Sequence, residues 1–555
     1  MKDNKFFERI SAYFQEGIEE LPNELNNQIE RILNNDSQED KKSLAFCYES
    51  KANFFIGKDE YKKAIDSLDI AISLNPENYI FYAQKGFCLF SLGNYELAIS
   101  YYNKAIDLDS SEAELFVSRG NIYAHMNEHE NAIENFNQAI SLNPYDYSVY
   151  SYRGVSYNYL DDYDNAINDL NIAISENAND SYSLLARAYS YFENEEYYLA
   201  IDDLNKSIEL NPNEPYSYEY LALCYNEISN YEKAIKNLNR AIELNPNDPS
   251  FYDYLADSYY KLKDYNNAIK NLKKAIELDK TNADYYTWLG QSYYRINDYK
   301  RAISSLNKAI KLDSNNISAY AYKGYSYNSL NNPNKAIKFF DKAISIKDND
   351  AYFYEGRGYS FYLKKEYKQS IIDFSKAIDL MNDNSSFYDY RARSYFEIGS
   401  YRNAILDLNM AIELNDNRDW YYYLRAKCFS MIGDYQSAIK DYKMTTNTDD
   451  SENVYELIMV NLPSNNQFEK FVSGFLVPNV KTLRDSLLKD FGFEFPVCKI
   501  RDIVKLKKDE YQIVVHNKFI YDYKFSDKNK NNNLNEIIFS LKEVILKHQD
   551  ILIEK

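Results

Sequence analysis

The sequence predicts an all-α solenoid of repeated helix pairs, followed by a small α+β domain. The first observation behind this prediction is a fixed period, because a small residue recurs at one constant interval, twelve times without a slip. Such a period is typical of one supersecondary unit stacked many times. The second observation is a change in charge and sequence pattern near residue 453. The periodic residues are Ala64, Ala98, Ala132, Ala166, Ala200, Ala234, Ala268, Ala302, Ala336, Ser370, Ala404 and Ala438.

Charge divides the chain into an acidic array and a nearly neutral end. Residues 453–555 hold 16 Lys and Arg against 14 Asp and Glu, so with a net charge of −20 overall, residues 1–452 carry about −22. An acidic surface repels nucleic acids and anionic membranes, and it favours basic or neutral protein partners. The start of the chain lacks the apolar core of a secretory signal, and no stretch reaches the length of a membrane span. These features predict a cytoplasmic protein with no membrane insertion.

Four segments follow from the period and its limits. Residues 1–44 lack the periodic alanine and are predicted to form helices that cap the array. Residues 45–452 are predicted to form twelve repeats, and residues 453–462 a closing helix or linker. Residues 463–555 are predicted to form the small α+β domain, with strands in "CKIRDIVKL" and "EYQIVVHNKFIYDYKF", which are short and rich in β-branched and aromatic residues.

Each repeat reads as two amphipathic helices when its positions are numbered so that the periodic small residue is position 20. Position 4 is aromatic in eleven of twelve repeats and position 8 is always Gly or Ala. Positions 4, 8 and 11 share one face of a first helix, and positions 20, 24, 27 and 28 share one face of a second. Small residues at 8, 20 and 27 are expected to let the two backbones approach closely. Phrases such as "NDY" and "LNPNDP" are expected to form the turns.

This pattern resembles the tetratricopeptide repeat (TPR) over about 408 residues. The resemblance implies antiparallel helix pairs stacked into a right-handed superhelix, with the first helix of each pair lining a concave groove. It also implies a protein that holds partners and carries out no chemistry. The carboxylate-binding pattern of chaperone-type repeats is missing, because no Lys or Arg occupies position 6.

Position 7 carries a row of cations that has two interpretations. A phosphate or nucleic-acid site is one, but position 23 is aspartate in five repeats, and all five have arginine at position 7. This coupling favours Arg–Asp bridges between the two helices of a repeat, since the guanidinium fork suits a carboxylate. The predicted structural pairs are Arg153–Asp169, Arg187–Asp203, Arg357–Asp373, Arg391–Asp407 and Arg425–Asp441.

The remaining face of the first helix is the candidate binding surface. Position 6 holds aromatic residues and position 5 holds carboxylates, a composition suited to an extended peptide or a helix with Lys or Arg side chains. The alternative is that these rings pack against adjacent helices and leave no groove. The candidate residues are Tyr152, Tyr220, Tyr254, Trp288, Tyr322 and Tyr390 at position 6, and Glu219, Asp253, Glu355 and Asp389 at position 5.

The C-terminal segment has a different resemblance. From Arg484 and Gly492 through Arg501-Asp502 to Ile513, and again in "LKEVILKHQDIL", it is similar to part of the cytosolic domain of the flagellar and type III secretion export-gate family (FHIPEP). In that family the domain forms rings and receives chaperone–substrate complexes. The resemblance implies an adaptor or chaperone linked to secretion. The membrane half of the family is missing, so the chain is not itself the gate.

Motifs for catalysis, metals and cofactors are missing from the sequence. There is no phosphate-binding glycine loop, no dinucleotide fingerprint and no nucleophile elbow. His125 and His129 are separated by one helical turn but lack a third ligand nearby. We therefore predict no cofactor, no metal and no enzyme activity, and a protein-interaction scaffold as the function. The secretion adaptor is the main alternative, and an enzyme site within 463–555 is an alternative of another class.

Overall fold

The computed structural model describes residues 37–415 and 418–446, parts of residues 8–33, and three strands between residues 505 and 524. Residues 38–446 form twelve consecutive helix pairs, and each pair corresponds to one predicted repeat. Repeat 1 covers 45–78, repeat 2 covers 79–112, and the later repeats follow at the same interval. Among the described residues, no helix combines the length and the apolar character that crossing a bilayer requires.

The helix bounds follow the predicted pattern, with one difference at the start. The first helix of repeat 1 begins at Gln38, before the predicted start at residue 45, because the Ser37 side chain caps it by accepting from the Asp40 backbone N–H. The first helices are Gln38–Ile56, Tyr79–Ser91, Ala113–His125, Tyr147–Tyr159, Ser181–Glu193, Pro215–Glu227, Pro249–Lys261, Ala283–Arg295, Ile317–Ser329, Ala351–Leu363, Ser385–Glu397 and Asp419–Ile432. The second helices are Tyr61–Leu74, Tyr95–Leu108, His129–Leu142, Tyr163–Glu176, Tyr197–Leu210, Tyr231–Leu244, Tyr265–Leu278, Tyr299–Leu312, Pro333–Ile346, Tyr367–Leu380, Tyr401–Leu414 and Tyr435–Thr446.

Small residues set the distance between the two helices of a pair. All twelve residues at position 20 are fully buried. Position 8 of the first helix faces a large residue at position 24 of the second, and a Cβ added to Gly120 would lie 2.7 Å from the Phe136 ring. The one serine in the series, Ser370, shares a hydrogen bond of 2.9 Å with Ser394. The close approach expected from the sequence is therefore present, and it excludes larger side chains at these positions.

The turn inside each pair has the same backbone conformation in every repeat. Position 15 has a positive φ throughout, at 62° in Asn127 and 78° in Gly399. The following residue closes the turn, as the Glu128 N–H donates to the Tyr123 carbonyl at 2.9 Å. This left-handed residue with a bond back to the last helical turn is a common helix stop.

The junction between repeats depends on two polar side chains. An Asn, Asp or Glu at position 34 caps most first helices, as Asp248 does by accepting from the Ser250 N–H at 3.0 Å. The tyrosine at position 4 donates its hydroxyl to a loop carbonyl, as Tyr252 does to Pro246 at 3.1 Å. The aromatic residue at position 4 thus both packs in the core and stabilises the loop before it.

The chain divides into two compact units, residues 1–280 and 281–555. The first unit holds repeats 1–7, and Ile10 and Ile29 are buried in one apolar cluster with residues of repeat 1 such as Leu44. The second unit holds repeats 8–12 and the strands. Within each unit the second helix of a repeat packs on the first helix of the next.

The described part of the C-terminal segment is a small antiparallel sheet. Strands β1 (Lys505–Lys507), β2 (Glu510–Val515) and β3 (Lys518–Lys524) lie in the order β1-β2-β3. Ile513 pairs with Tyr521, and the register shifts between Ile513 and Val514. Strands β2 and β3 lie within the predicted strand sequence "EYQIVVHNKFIYDYKF", whereas β1 shares only Lys505 and Leu506 with "CKIRDIVKL". The helices predicted for residues 453–462 and 463–555, and the resemblance to the export-gate family, lie outside the described residues.

Candidate functional site

The position-6 rings of the first unit pack on the preceding repeat. The Tyr220 ring lies 5.4 Å from Tyr189 and 6.1 Å from Phe192, both edge-on. Tyr152 is at the edge of exposure and lies 6.1 Å from Phe136. Tyr254 is half-buried. Each of these rings is therefore partly buried and partly exposed to solvent.

The second unit repeats this arrangement. The Tyr322 ring lies 5.8 Å from Tyr294, and Tyr390 lies 5.2 Å from Tyr359. Tyr390 also stacks on Phe374 at 5.6 Å with nearly parallel planes. Trp288 is half-buried like its counterparts. Tyr220, Tyr322 and Tyr390 thus pack in part against the preceding repeat and are half-buried. We define the first-helix surface as positions 5, 6, 9 and 12.

The position-5 carboxylates differ in how they are neutralised. Asp389 is buried and accepts two bonds from Arg393, at 2.9 and 2.6 Å. Glu219 is only 7% exposed, and among the described residues its one hydrogen bond comes from the Ser250 hydroxyl at 3.4 Å. Burial raises the pKa of Glu219 to about 7, and the nearby Asp248 carboxylate adds to the rise. Burial likewise raises the pKa of Glu355 to about 7, whereas Asp253 is half-buried.

The structure places each of the five predicted arginines on its aspartate. Arg187 donates from Nε and Nη2 to the two carboxylate oxygens of Asp203, both at 2.7 Å. The other four pairs have the same bidentate geometry, with distances of 2.7–2.8 Å, and they are Arg153–Asp169, Arg357–Asp373, Arg391–Asp407 and Arg425–Asp441. Each pair is largely buried between the two helices of one repeat.

These arginines make a third contact that the sequence pattern did not predict. The Nη1 of Arg187 donates to Asn171 at 2.6 Å, which is position 25 of the preceding repeat. Arg153 and Arg425 use Asn137 and Asn409 in the same way. The guanidinium therefore joins three helices of two repeats. The signal in the sequence is that the asparagine and the aspartate stand at equal distances before and after the arginine.

Repeats without the Arg–Asp pair fill position 23 differently. Arg119 donates to Asn135 at 2.7 Å, and the Lys323 ammonium lies 3.9 Å from the Phe339 ring centre. Lys85 lies over the Tyr101 ring and pairs with Asp69. The residue type at position 23 therefore varies with the residue at position 7 in these repeats too, and not only in the five repeats with aspartate.

A repeat with leucine at position 7 has a cleft at the place where other repeats hold the arginine guanidinium. In repeat 7 a cleft of ≈ 630 Å³ is lined by Leu255 together with Asn239 and Asn271. These asparagines stand at the same positions relative to Leu255 as Asn103 and Asn135 do relative to Arg119. The Asn271 amide donates to the Asn267 carbonyl, the same bond that Asn135 makes to Asn131. The Asn271 amide thus adopts the orientation with which Asn135 accepts an arginine.

Groups that suit metal or redox chemistry are structural in the described residues. His129 stacks on Tyr159 at 4.3 Å, and burial lowers its pKa. Cys47, Cys88, Cys224 and Cys428 are buried, and none of the four is joined in a disulfide within the described residues. Within residues 37–415 and 418–446, no three His, Cys, Asp or Glu side chains are grouped so as to hold a metal ion.

Comparisons with protein-family models identify the repeats. Models described as tetratricopeptide repeat match residues 79–112, 113–146, 283–316 and 317–350, which are the bounds of repeats 2, 3, 8 and 9. A further TPR model matches 224–263 and 256–297, and a model of anaphase-promoting complex subunit 3 matches 159–241. The chain therefore contains tetratricopeptide repeats, and the predicted helical solenoid is confirmed.

Solved structures that match the chain include several repeat proteins. The Cut9–Hcn1 heterotetramer of the APC/C is 15% identical, with 77% of this chain and 94% of that chain covered and a TM-score of 0.37. Yeast Tom70 is 18% identical, with coverages of 80% and 99% and a TM-score of 0.34. YrrB, a TPR protein with an unusual peptide-binding site, is 24% identical, with coverages of 32% and 92% and a TM-score of 0.29. No curated protein matches the chain.

Removing one partner of a buried ion pair should destabilise the array. We expect Asp203→Ala to lower the free energy of unfolding by about 3–5 kcal/mol, because it leaves the Arg187 guanidinium buried without its carboxylate. The double variant Arg187→Leu/Asp203→Asn copies the chain's own Leu221 and Asn237 and should recover most of the loss. Urea unfolding followed by circular dichroism measures both. Equal stability of Asp203→Ala and the parent would show that the pair is not structural.

Filling the cleft of repeat 7 tests whether it is shaped for a guanidinium. We expect Leu255→Arg to keep the free energy of unfolding within about 1 kcal/mol of the parent or to raise it, since charge-assisted hydrogen bonds to Asn239 and Asn271 offset the lost apolar burial. Leu238→Arg, at a fully buried core position, is the control that should unfold the repeat. Thermal unfolding distinguishes them. A loss as large as that of the control would contradict the interpretation.

The raised pKa of Glu219 makes a prediction about pH. Its folded pKa of about 7 lies above the ordinary 4.5, so the cost of burying the charge is absent below pH 4.5 and grows as the pH rises through 7. Glu219→Gln should therefore gain stability relative to the parent at pH 8, on the order of 1–3 kcal/mol, but not at pH 4.5. Glu232→Gln, at an exposed site, is the control. Unfolding curves at several pH values measure the stability of the variant relative to the parent. A stability difference that does not change with pH would contradict the raised pKa of Glu219.

Proposed function

We propose that the protein is a non-enzymatic scaffold that binds a protein or peptide segment on its first-helix surface. The observation that carries this proposal is the row of half-exposed aromatic rings interleaved with carboxylates, repeated in both units. Tyrosine and tryptophan contribute a large contact area with little entropy to lose, and they are enriched among the residues that dominate binding energy.

The character of the chain agrees with such a role. Tetratricopeptide repeats build extended surfaces along which a partner segment can lie. The net charge of −20 favours partners that are basic or neutral. The matching family models are of repeats and of a complex subunit, and none of them is of an enzyme family. The cytoplasm is the compartment we propose.

A second candidate function rests on the C-terminal resemblance. A chain whose residues 484–552 resemble an export-gate domain would act as an adaptor or chaperone for secretion, with the repeats as its second arm. Binding of secretion-apparatus proteins that persists when the first-helix surface is altered would favour this alternative. An enzyme site in 463–555 would require a substrate pocket in residues outside the described part.

A selection experiment tests the main proposal. Random dodecapeptides displayed on phage are panned against the full chain, and selected peptides are measured by fluorescence anisotropy. We expect Tyr254→Ala and Trp288→Ala each to weaken binding about tenfold, as loss of a central aromatic contact does. Tyr198→Ala is the matched control, because Tyr198 is 72% exposed on a second helix. Equal loss in all three variants, or selection of no peptide, would count against the first-helix surface.

A further inference from the structure

Repeat 11 shows how the first-helix surface holds a cation. The Arg393 guanidinium makes two bonds to Asp389 and lies 4.8 Å from the Tyr390 ring centre and 4.9 Å from that of Trp420. The carboxylate is at position 5, one ring at position 6, and the other ring at position 2 of the next repeat. The arginine itself stands at position 9. A buried carboxylate and flanking rings together form a cage for a guanidinium.

Repeat 6 has the carboxylate and the ring but lacks the cation. Glu219 stands at position 5 and Tyr220 at position 6, whereas position 9 is Leu223. Among the described residues, no lysine or arginine pairs with Glu219, although it is more than nine-tenths buried. Glu219 therefore has no cationic partner among the described residues, and burying its ionised form in this state is costly.

The charged and titratable groups around Glu219 add no positive charge. Burial raises the pKa of Glu219 and Asp248, at the end of the same repeat, adds to the rise, while Ser250 of the next repeat donates the single hydrogen bond. Tyr216 and Tyr254 also feel its charge, and burial raises the pKa of both hydroxyls. On the preceding repeat, Glu193 is the charged group that acts on Tyr220. The nearby charged groups, Asp248 and Glu193, are both acidic and would favour a cation at Glu219.

In the second unit, Glu355 stands at position 5 of repeat 10 and is half-buried. Position 9 of that repeat is Tyr359, and no ion pair reaches Glu355 from the described residues. Tyr325, Tyr322 and Tyr294 line the preceding repeats, and Asp350 adds a further negative charge. Arg357 and Arg393, at position 7 of repeat 10 and position 9 of repeat 11, do not pair with Glu355.

Each of those arginines is accounted for by other groups. Arg357 is bonded to Asp373 and Asp341, and Arg393 is bonded to Asp389. Two carboxylates four repeats apart are thus in the same unpaired state, each within its own unit.

We propose that Glu219 and Glu355 are ion-pair sites for lysine or arginine side chains of the bound segment. The partner's cation would take the place that Arg393 occupies in repeat 11. This inference rests on the proposed function and narrows its partner to a segment with basic side chains. The same acidic surface would steer such a segment towards the sites.

Defined peptide pools test the inference. Fluorescein-labelled decapeptide pools carry one fixed residue (Arg, citrulline, Lys or norleucine) in otherwise random sequence, and anisotropy gives their affinity for the full chain. We expect the Arg and Lys pools to bind about tenfold tighter than their neutral counterparts. This preference should shrink several-fold in Glu219→Gln and in Glu355→Gln, and further in the double variant. Glu232→Gln makes the same change of charge at an exposed site and should keep the preference.

Three results would overturn the inference. If the pools bind but the double variant keeps the preference for Arg and Lys, the sites are wrong while the proposed function stands. If Glu232→Gln reduces the preference as much as Glu219→Gln does, general charge and not a site is responsible. If no pool binds, or if binding is unaffected by Tyr254→Ala, the proposed function itself fails.

A substitution that supplies the cation from within gives an independent test. Leu223→Arg copies the arginine that repeat 11 carries at position 9, and its guanidinium should pair with the Glu219 carboxylate. We expect it to remove the arginine preference as Glu219→Gln does, and to raise the melting temperature. Leu199→Arg adds the same charge at an exposed site on a second helix and is the control. Full arginine preference in a folded Leu223→Arg protein would contradict the inference.

Discussion

The close approach of the two helices in each pair is the constraint on which the rest of the structure depends. It requires a residue without a bulky side chain at position 20 in all twelve repeats, and glycine or alanine opposite the large residue at position 24. Within each unit, the second helix of one repeat packs on the first helix of the next. The rings at positions 6, 9 and 12 therefore come within 5–6 Å of one another across neighbouring repeats.

Charged groups add a second set of contacts between the helices of a pair and between neighbouring repeats. The small core residues leave space beside position 7, and in most repeats a lysine or arginine side chain fills this space. The arginines of the Arg–Asp pairs join three helices through their hydrogen bonds. Burying these charges is tolerable only because each such arginine finds a bidentate acceptor and a second acceptor on the previous repeat. Where leucine replaces arginine, the space remains open as the cleft of repeat 7. The arginines of the Arg–Asp pairs thus link neighbouring repeats.

The sequence predicted the fold of residues 38–446 almost completely, because a period repeated twelve times averages out local ambiguity. The close approach at Gly120 was expected from the small residues at positions 8, 20 and 27, and the Arg187–Asp203 pair from positions 7 and 23, which vary together. The bond from Arg187 to Asn171 was not predicted, since it joins different repeats and the asparagine is common at position 25. The state of the candidate surface was not predictable either. Whether Tyr220 packs or projects depends on Tyr189 and Phe192 across the repeat junction, which one sequence position does not reveal.

The difference between Asp389 and Glu219 explains how repeats of one design can have different roles. Both carboxylates occupy position 5 and both are buried, yet one has its arginine at position 9 and the other has Leu223. The repeat frame fixes where a carboxylate and its neighbouring ring lie, and a single side chain one helical turn away decides whether the chain satisfies that charge itself. A difference at position 9 therefore changes the charge of the first-helix surface without any change in the core, because positions 8, 20 and 24 are left untouched.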